Sequence, residues 1–524
     1  VTTAIPYVNA KPHIGFALEL VLTDALARYH RRMGEDVRFL TGTDENSLKN
    51  VQAAEREGVP TAELVARNAA YFKGLREALA VSFDDFIRTS AEERHLAGVA
   101  KLWAACERRG DVYKRAYSGL YCVGCEQFYS EAELVDGRCP EHGTPPERVE
   151  EENYFFRLSR YAEALERLIE SDALRIEPEK RRNEVLSFIR MGLEDFSISR
   201  SRERAHDWGV PVPGDPDQVM YVWFDALGNY ITALGYADEG PLYQRYWVEN
   251  PHRVHVIGKG VTRFHAIYWP AMLLSAGVPL PSTIFVHGYV TIGGQKVSKS
   301  LGNVIDPVAL AGEYGADALR YYLLRHIRST DDGDFTLERF MRAHNADLAD
   351  QLGNLLNRTL GMIGRYCDGV VPVPHDLEEP DRRLVALAEA LPERLESALA
   401  RFLTHEALAA IWELLEAANK YVVAVEPWSL AKARQADGGG AAERRLATVL
   451  YNLVEVLRLA AHACAPFLPA TAEALAGQLG IPPDTGADWA SVMRWGGYPA
   501  GTRLQPGGVL FPKLEMEAEV GVVP

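Results

Sequence analysis

Val1-Thr2-Thr3-Ala4-Ile5-Pro6-Tyr7-Val8-Asn9-Ala10-Lys11-Pro12-His13-Ile14-Gly15-Phe16 is the stretch whose reading decides the fold. Thr2 to Val8 reads as a short strand and Asn9-Ala10-Lys11-Pro12 as a turn. The apolar residues Ile14, Leu18, Val21, Leu22, Ala25, Leu26 and Tyr29 then recur at helical spacing. Pro12 falls where a first-turn proline is tolerated. A second strand, Val37 to Leu40, leads into the polar turn Thr41 to Asn46 and another helix. Strand, helix, strand, helix in that order predicts a parallel sheet with its function at the carboxyl ends of the strands.

Moving outward, the pattern breaks near Asp111. Residues 112–213 carry a cysteine cluster, a charged helix around Tyr161 to Ile169 and an Arg- and Glu-rich loop, and read as an insertion into the sheet domain. Sheet character resumes with Val219 to Trp223, Arg253 to Ile257 and Ile284 to Val290, followed by a hairpin turn at Gly293-Gly294. From about Ala343 helical periodicity takes over through Leu348, Leu352, Leu355 and Leu356, then Ala407 to Ala418, then Leu446 to Ala461. Gly438-Gly439-Gly440 reads as an inter-helix loop. The expected layout is a sheet domain in two halves, 1–111 and 214–290, split by 112–213; a lysine-loop region, 291–342; a helical bundle, 343–499; and a tail, 500–524.

Composition is that of an ordinary folded enzyme, with 47% hydrophobic and 24% charged residues. No run approaches the ~18 consecutive apolar residues of a membrane span, and the first residues lack a secretory pattern, so a soluble cytoplasmic protein is expected. The formal net charge of −16 excludes blanket electrostatic attachment to nucleic acid, leaving only local RNA contacts. Of six cysteines, three crowd between positions 122 and 139. Cys106, Cys367 and Cys464 are scattered and read as small buried hydrophobes.

Three motifs carry chemistry. Cys122-x2-Cys125, thirteen residues, then Cys139-x2-His142 places four soft donors on two knuckles, the pattern of a closed and therefore structural tetrahedral Zn²⁺ site. His13-Ile14-Gly15-Phe16 opens the first helix, where backbone N–H groups and the helix dipole favour a phosphate. Lys296-Val297-Ser298-Lys299-Ser300, directly after the glycine turn, sets two lysines on a loop able to close over a triphosphate and neutralise a pyrophosphate leaving group.

Together the His13 and Lys296 segments resemble the HIGH and KMSKS signatures of class I aminoacyl-tRNA synthetases. With Ala4 to Asn9, Thr41 to Asp44, Tyr221 to Ala226 and Phe264 to Pro270, the resemblance narrows to the methionyl-tRNA synthetases of the single-zinc-knuckle type and extends over essentially the whole chain. It implies an α/β, Rossmann-type catalytic domain split by a zinc-binding insertion and followed by an all-α anticodon-binding bundle. It implies a methionine pocket of Ala4, Ile5, Tyr7, Trp223, Ala226, Tyr230, Val261 and His265, with Asp44 receiving the substrate ammonium. It implies ATP held by His13, Gly15, Phe16, Gly258 and Lys299, with His13, Lys296 and Lys299 acting in catalysis, and an anticodon reader of Asn354, Arg358 and Trp428. The activity expected is ATP-dependent formation of methionyl-adenylate, with Mg²⁺, and transfer to tRNA(Met). No dedicated dimerisation module is recognised, so a monomer is expected.

Five positions depart from the family pattern. Phe16 replaces the second histidine of HIGH, and Gly260 replaces the aspartate of a usual Gly-Lys-Asp; each removes a polar group where ATP is expected, at ~1.5 to 3 kcal/mol for a charge-assisted hydrogen bond. Asn46-Ser47 stands for the usual His-Gly, and Val297 for the usual methionine. These changes keep two alternatives in view: a paralogue that activates an amino acid outside translation, and a zinc-containing RNA-binding protein that has lost catalysis.

Overall fold

The strand that opens the chain is only two residues long, Thr2–Thr3, yet it lies inside a six-stranded sheet. In sheet order the strands are Asp85–Arg88, Leu40–Thr43, Thr2–Thr3, Val254–Gly258, Thr283–His287 and Arg175–Glu177, every pairing parallel. Thr2 pairs with Leu40 on one side and His255 on the other. Threonine hydroxyls reinforce the short ladder: Thr3 Oγ1 lies 2.7 Å from Thr41 Oγ1, and Thr2 Oγ1 lies 2.8 Å from His255 Nδ1. Strand order reverses at Thr2–Thr3, so the crevice beyond its end, where Ala4 to Asn9 and Gly258 to Val261 leave the sheet, is the switch point at which such folds bind ligands.

The computed structural model describes residues 1–125, 127–297, 304–436, 440–482 and 488–515. They form two compact units: Val1–Thr23, Arg38–Glu77 and Val81–His287 in the first, Asp24–Val37, Ala78–Ala80 and Gly288–Pro524 in the second.

In the first unit, the helix predicted from the opening stretch starts at Ile14 and runs to Arg32, its later residues being counted in the second unit. Three expectations are corrected. The second strand is Leu40–Thr43, not Val37 to Leu40, because Thr41, Gly42 and Thr43 are buried in the sheet and do not form a turn. Gly42 is needed there: a Cβ would lie 2.2 Å from the Ile87 carbonyl oxygen of the neighbouring strand. Residues 112–213 are not one separate insertion. The antiparallel pair Val112–Cys122 and Glu147–Phe156 leaves the sheet, but Arg175–Glu177 returns to pair with Thr283–His287. A three-residue strand flanked by charges carries no periodic signal. Finally, Val219 and Met220 belong to Asp215–Met220, which pairs antiparallel with Ser199–Ser201 and Pro211–Val212, and Trp223 lies in the helix Val222–Thr232. A short apolar run does not by itself distinguish strand from helix.

The second unit begins with the expected hairpin. Val290–Ile292 and Gln295–Lys296 are joined by Gly293 and Gly294 at φ 58° and 77°, the positive pair that a tight two-residue turn demands. Helices then dominate: Asn354–Cys367, Glu379–Leu399, Thr404–Val425, Pro427–Ala436, Ala441–Cys464 and Pro469–Leu479. Ala441–Cys464 is long and apolar enough to cross a membrane, but its apolar window is wholly buried as the central helix of the bundle. Gly438 and Gly439 of the expected loop lie outside the described residues, as do Ser298 to Asn303. Cys106 in the first unit and Cys464 in the second are fully buried, as small hydrophobes.

One buried ion pair organises the second unit. Arg320, fully buried, pairs with Asp24 at 2.8 Å and donates to the carbonyls of Leu79, Pro466 and Phe467, while Arg28 also pairs with Asp24 at 2.8 Å. Asp24→Ala strands the Arg320 charge in the interior, so a loss of about 3–5 kcal/mol is expected, read as a lower denaturation midpoint.

Candidate active site

At the switch point, the first helix begins with a self-made cap. The Gly15 N–H donates to His13 Nδ1 at 3.1 Å, which fixes the proton on Nε2 and leaves an N–H donor on an exposed imidazole at the positive end of the helix. A Cβ on Gly15 would meet His13 Cε1 at 2.9 Å and Nδ1 at 3.0 Å, so glycine is what lets the imidazole lie there. Phe16 is turned to other work. Its ring packs edge-on against Phe72, 5.2 Å between centroids, beside Val8 and Leu64, and its N–H bonds the His13 carbonyl, so an apolar cluster absorbs the missing second histidine. Gly258 ends its strand beside the buried Glu19–His287 pair, 2.8 Å apart, and Glu19 also accepts from the Ala4 N–H.

The side-chain pocket expected for methionine assembles from distant segments. Tyr7 and Trp223 meet edge-on at 6.3 Å, Trp223 faces the His265 ring at 6.3 Å, and Tyr230 lies 5.7 Å from His265, all between ring centroids. Asp44, 1% exposed, is joined to the Pro6-Tyr7 segment through its N–H to the Pro6 carbonyl and a parallel bridge to Tyr7. Ala4, Ile5 and Val261 are half-buried and Ala226 is buried. A single turn of π-helix, Phe264–Tyr268, carries His265 and stacks Phe264 flat on Trp223 at 3.8 Å and 4°. Phe264 is absent from the pocket that the resemblance implies; its place immediately before His265 is the one signal the sequence offers for it.

The pocket floor is electrically neutral. His265 Nδ1 donates to the Val261 carbonyl at 2.9 Å, so Nε2 accepts from the Tyr230 hydroxyl at 2.6 Å. Beneath it, His255 Nε2 accepts from the Trp269 indole at 3.2 Å and Nδ1 faces Thr2. Burial lowers the pKa of His265 to about 4 and that of His255 well below its usual value, the latter also through its neighbour His265. An uncharged floor of aromatic edges suits a polarizable thioether.

The zinc knuckle is also brought together. Ligand atoms of Cys122, Cys125, Cys139 and His142 lie within 4.8 Å of one another, with Cys125 Sγ 3.5 Å from Cys139 Sγ. Those separations fit four ligands around one tetrahedral ion with bonds of about 2.0–2.3 Å. Gly124 leaves room for the imidazole, a Cβ there lying 2.7 Å from His142 Cγ. The Tyr129 hydroxyl lies 3.1 Å from Cys125 Sγ, where it would support a metal-bound sulfur from outside. A cavity of about 840 Å³ extends from Tyr129 and Glu141 past Lys180 and Phe188 to Lys259 and Phe264.

In the second unit, Lys296 closes the hairpin opposite Thr291, and Lys299 lies outside the described residues. Asn354 and Arg358 line a groove of about 560 Å³ with Gln351, Asn419, Lys420 and Val423. Trp428 does not line that groove. It follows the left-handed residue Glu426 (φ 44°) that breaks the preceding helix, and it stays 43% exposed, unusual for so large an apolar ring.

Comparison with known proteins assigns both units. The family described as tRNA synthetases class I (M) matches residues 1–148 and 133–360, and the anticodon binding domain of methionyl tRNA ligase matches 371–521. Methionine–tRNA ligases are similar throughout. That of Clostridium acetobutylicum is 45% identical across 99% of this chain and 79% of its own length; that of Brucella suis is 47% identical across 92% of each. Mycobacterium tuberculosis methionyl-tRNA synthetase, solved bound by methionyl-adenylate, superposes with a TM-score of 0.91 at 45% identity, covering 98% of this chain and 99% of that one. The fold is therefore that of a class I synthetase. Within that class, the chain belongs to the methionine–tRNA ligase family.

The neutral floor makes a pH prediction. A histidine whose folded pKa is depressed costs stability as pH falls, because the unfolded state takes up the proton first; for His265 the loss develops from about 6.5 down to about 4. Methionine affinity, followed by tryptophan fluorescence, is expected to be flat from pH 8 to about 5; a binding midpoint near 6.5 contradicts a neutral His265.

Proposed function

We infer that the chain activates methionine with ATP and transfers it to tRNA. The observation that carries this is the neutral aromatic pocket of Tyr7, Trp223, Tyr230 and His265 standing beside a buried carboxylate, Asp44, at the sheet's switch point. An amino acid with an uncharged, polarizable side chain satisfies both features: Asp44 takes the ammonium and the pocket takes the thioether. Its carboxylate attacks the α-phosphate of Mg·ATP in line, and the enzyme works by positioning and charge stabilisation without a covalent intermediate.

His13 Nε2–H and the helix start hold phosphate, and Lys299 with Lys296 neutralises the departing pyrophosphate. The cavity bordered by Lys180, Phe188, Lys259 and Phe264 gives the 3′-terminal adenosine hydroxyl of tRNA its approach to the adenylate. Asn354 and Arg358 supply hydrogen-bond donors to anticodon bases and Trp428 a stacking surface. The match of 371–521 to an anticodon domain supports a role in translation over that of a paralogue working without tRNA. Zinc held by Cys122, Cys125, Cys139 and His142 serves structure, and this cluster of thiols suits the reducing cytoplasm.

Two paired variants test the division of labour. Gly15→Ala displaces the His13 imidazole and is expected to slow methionine-dependent ATP–pyrophosphate exchange on the order of ten- to hundredfold with methionine affinity unchanged. Trp428→Ala is expected to leave exchange intact and lower kcat/KM for tRNA charging on the order of ten- to hundredfold, the worth of one lost base stack. Equal losses in both assays for Trp428→Ala, or an unchanged exchange rate for Gly15→Ala, count against the assignment. Metal analysis is expected to find one zinc per chain, and none in Cys139→Ala.

A further inference from the structure

On the face of the helix Val222–Thr232 opposite Trp223 and Tyr230 lies a polar cluster that the mechanism above does not use. Asp225, His95 and Thr232 are all fully buried. Asp225 stands on the helix Val222–Thr232, between the pocket residues Trp223 and Ala226. The Asn46 side-chain amide donates to its Oδ2 at 3.2 Å, and His95 Nε2 faces its Oδ1 at 3.5 Å. His95 is itself held through Nδ1, 2.9 Å from Thr232 Oγ1 on the same helix. Asn46 also reaches the Thr89 carbonyl at 3.4 Å, while Thr89 Oγ1 accepts from the Glu45 N–H at 2.9 Å.

Burying a carboxylate is unfavourable, and an apolar residue would hold a helix at less cost. What the carboxylate adds is direction. Asn46 is two residues beyond Asp44, on the turn that presents the ammonium-binding carboxylate, and Ser47 then caps the helix Leu48–Glu57, its Oγ accepting from Lys49 N–H at 3.0 Å. The Asp225 helix presents Trp223, Ala226 and Tyr230. We propose that Asn46 and Asp225, with His95 behind them, are positioning residues that set the distance between the ammonium-binding carboxylate and the thioether pocket, and so fix the length of amino acid accepted. This rests on the reading of the site as a methionine site. It also gives Asn46-Ser47 a physical content: the amide donates to Asp225, and the serine caps the helix behind it.

The test is methionine-dependent pyrophosphate exchange with the full chain, paired with methionine binding by tryptophan fluorescence. Asn46→Ala removes the donor, and Asn46→Asp, of the same size, turns a second carboxylate toward Asp225. Both are expected to raise KM and Kd for methionine on the order of tenfold, with KM for ATP unchanged and kcat within about twofold. Preference for methionine over the longer ethionine is expected to fall in the same variants, and Asn46→His is expected to restore all three quantities. Parallel rises in the constants for methionine and ATP, or unchanged methionine constants in the isosteric Asn46→Asp, overturn the proposal. Absence of methionine-dependent exchange in the unmodified chain would strike the activity itself, so the two failures are distinguishable.

Discussion

Everything at the active site depends on a central strand that is nearly too short to be one. Thr2–Thr3 contributes two residues to a sheet, yet it brings Leu40–Thr43 and Val254–Gly258 to either side of itself. Its brevity releases Ala4 to Asn9 from the ladder at the point where the strand order reverses, leaving that backbone available to a ligand. The threonine hydroxyls make up part of what the short ladder lacks, one bonding forward to Thr41 and one to His255. Through His255 the same contact reaches Trp269 and the floor under Tyr230. Sheet closure and pocket polarity are thus consequences of one arrangement.

The two units use buried charge differently. In the second, each nitrogen of Arg320 has a partner among Asp24 and three carbonyls, a fixed scaffold. In the first, Asp225 is held by an amide and faced by a histidine at longer range. A carboxylate held by one amide hydrogen bond is open to change by a single substitution at the donor. At His13 the first turn of a helix and a glycine present an exposed imidazole.

Legibility follows the strength of local pattern. The start of the first helix at Ile14, the Gly293-Gly294 hairpin, the four-donor knuckle and the helices holding Leu355, Ala407 to Ala418 and Leu446 to Ala461 each rest on a periodicity or on a residue type with one dominant use. What escapes does so for physical reasons. Thr41-Gly42-Thr43 looks like a turn, but its burial is imposed by the neighbouring strand; Arg175–Glu177 has no apolar pattern and is placed by pairing with Thr283–His287 alone. Trp223 stands in a run that reads equally as strand or helix. Phe264 and Asp225 lie inside recognised segments, but their roles come from what they touch, Trp223 and Asn46, and those contacts span dozens of residues in sequence. Phe16 sits in a phosphate-binding motif by position, and its ring packs into an apolar cluster instead.

The uncharged histidine floor has a consequence for what the enzyme confuses. A pocket that admits its substrate by desolvation excludes acids and amines readily, since each would have to shed its hydration shell with no counter-charge to receive it. It has far less leverage over neutral, unbranched mimics that differ by an atom or a methylene. Mischarging errors in the cell should therefore concentrate among selenium and hydrocarbon analogues of the natural side chain. Inhibitors that imitate the adenylate gain most by keeping that end of the molecule greasy.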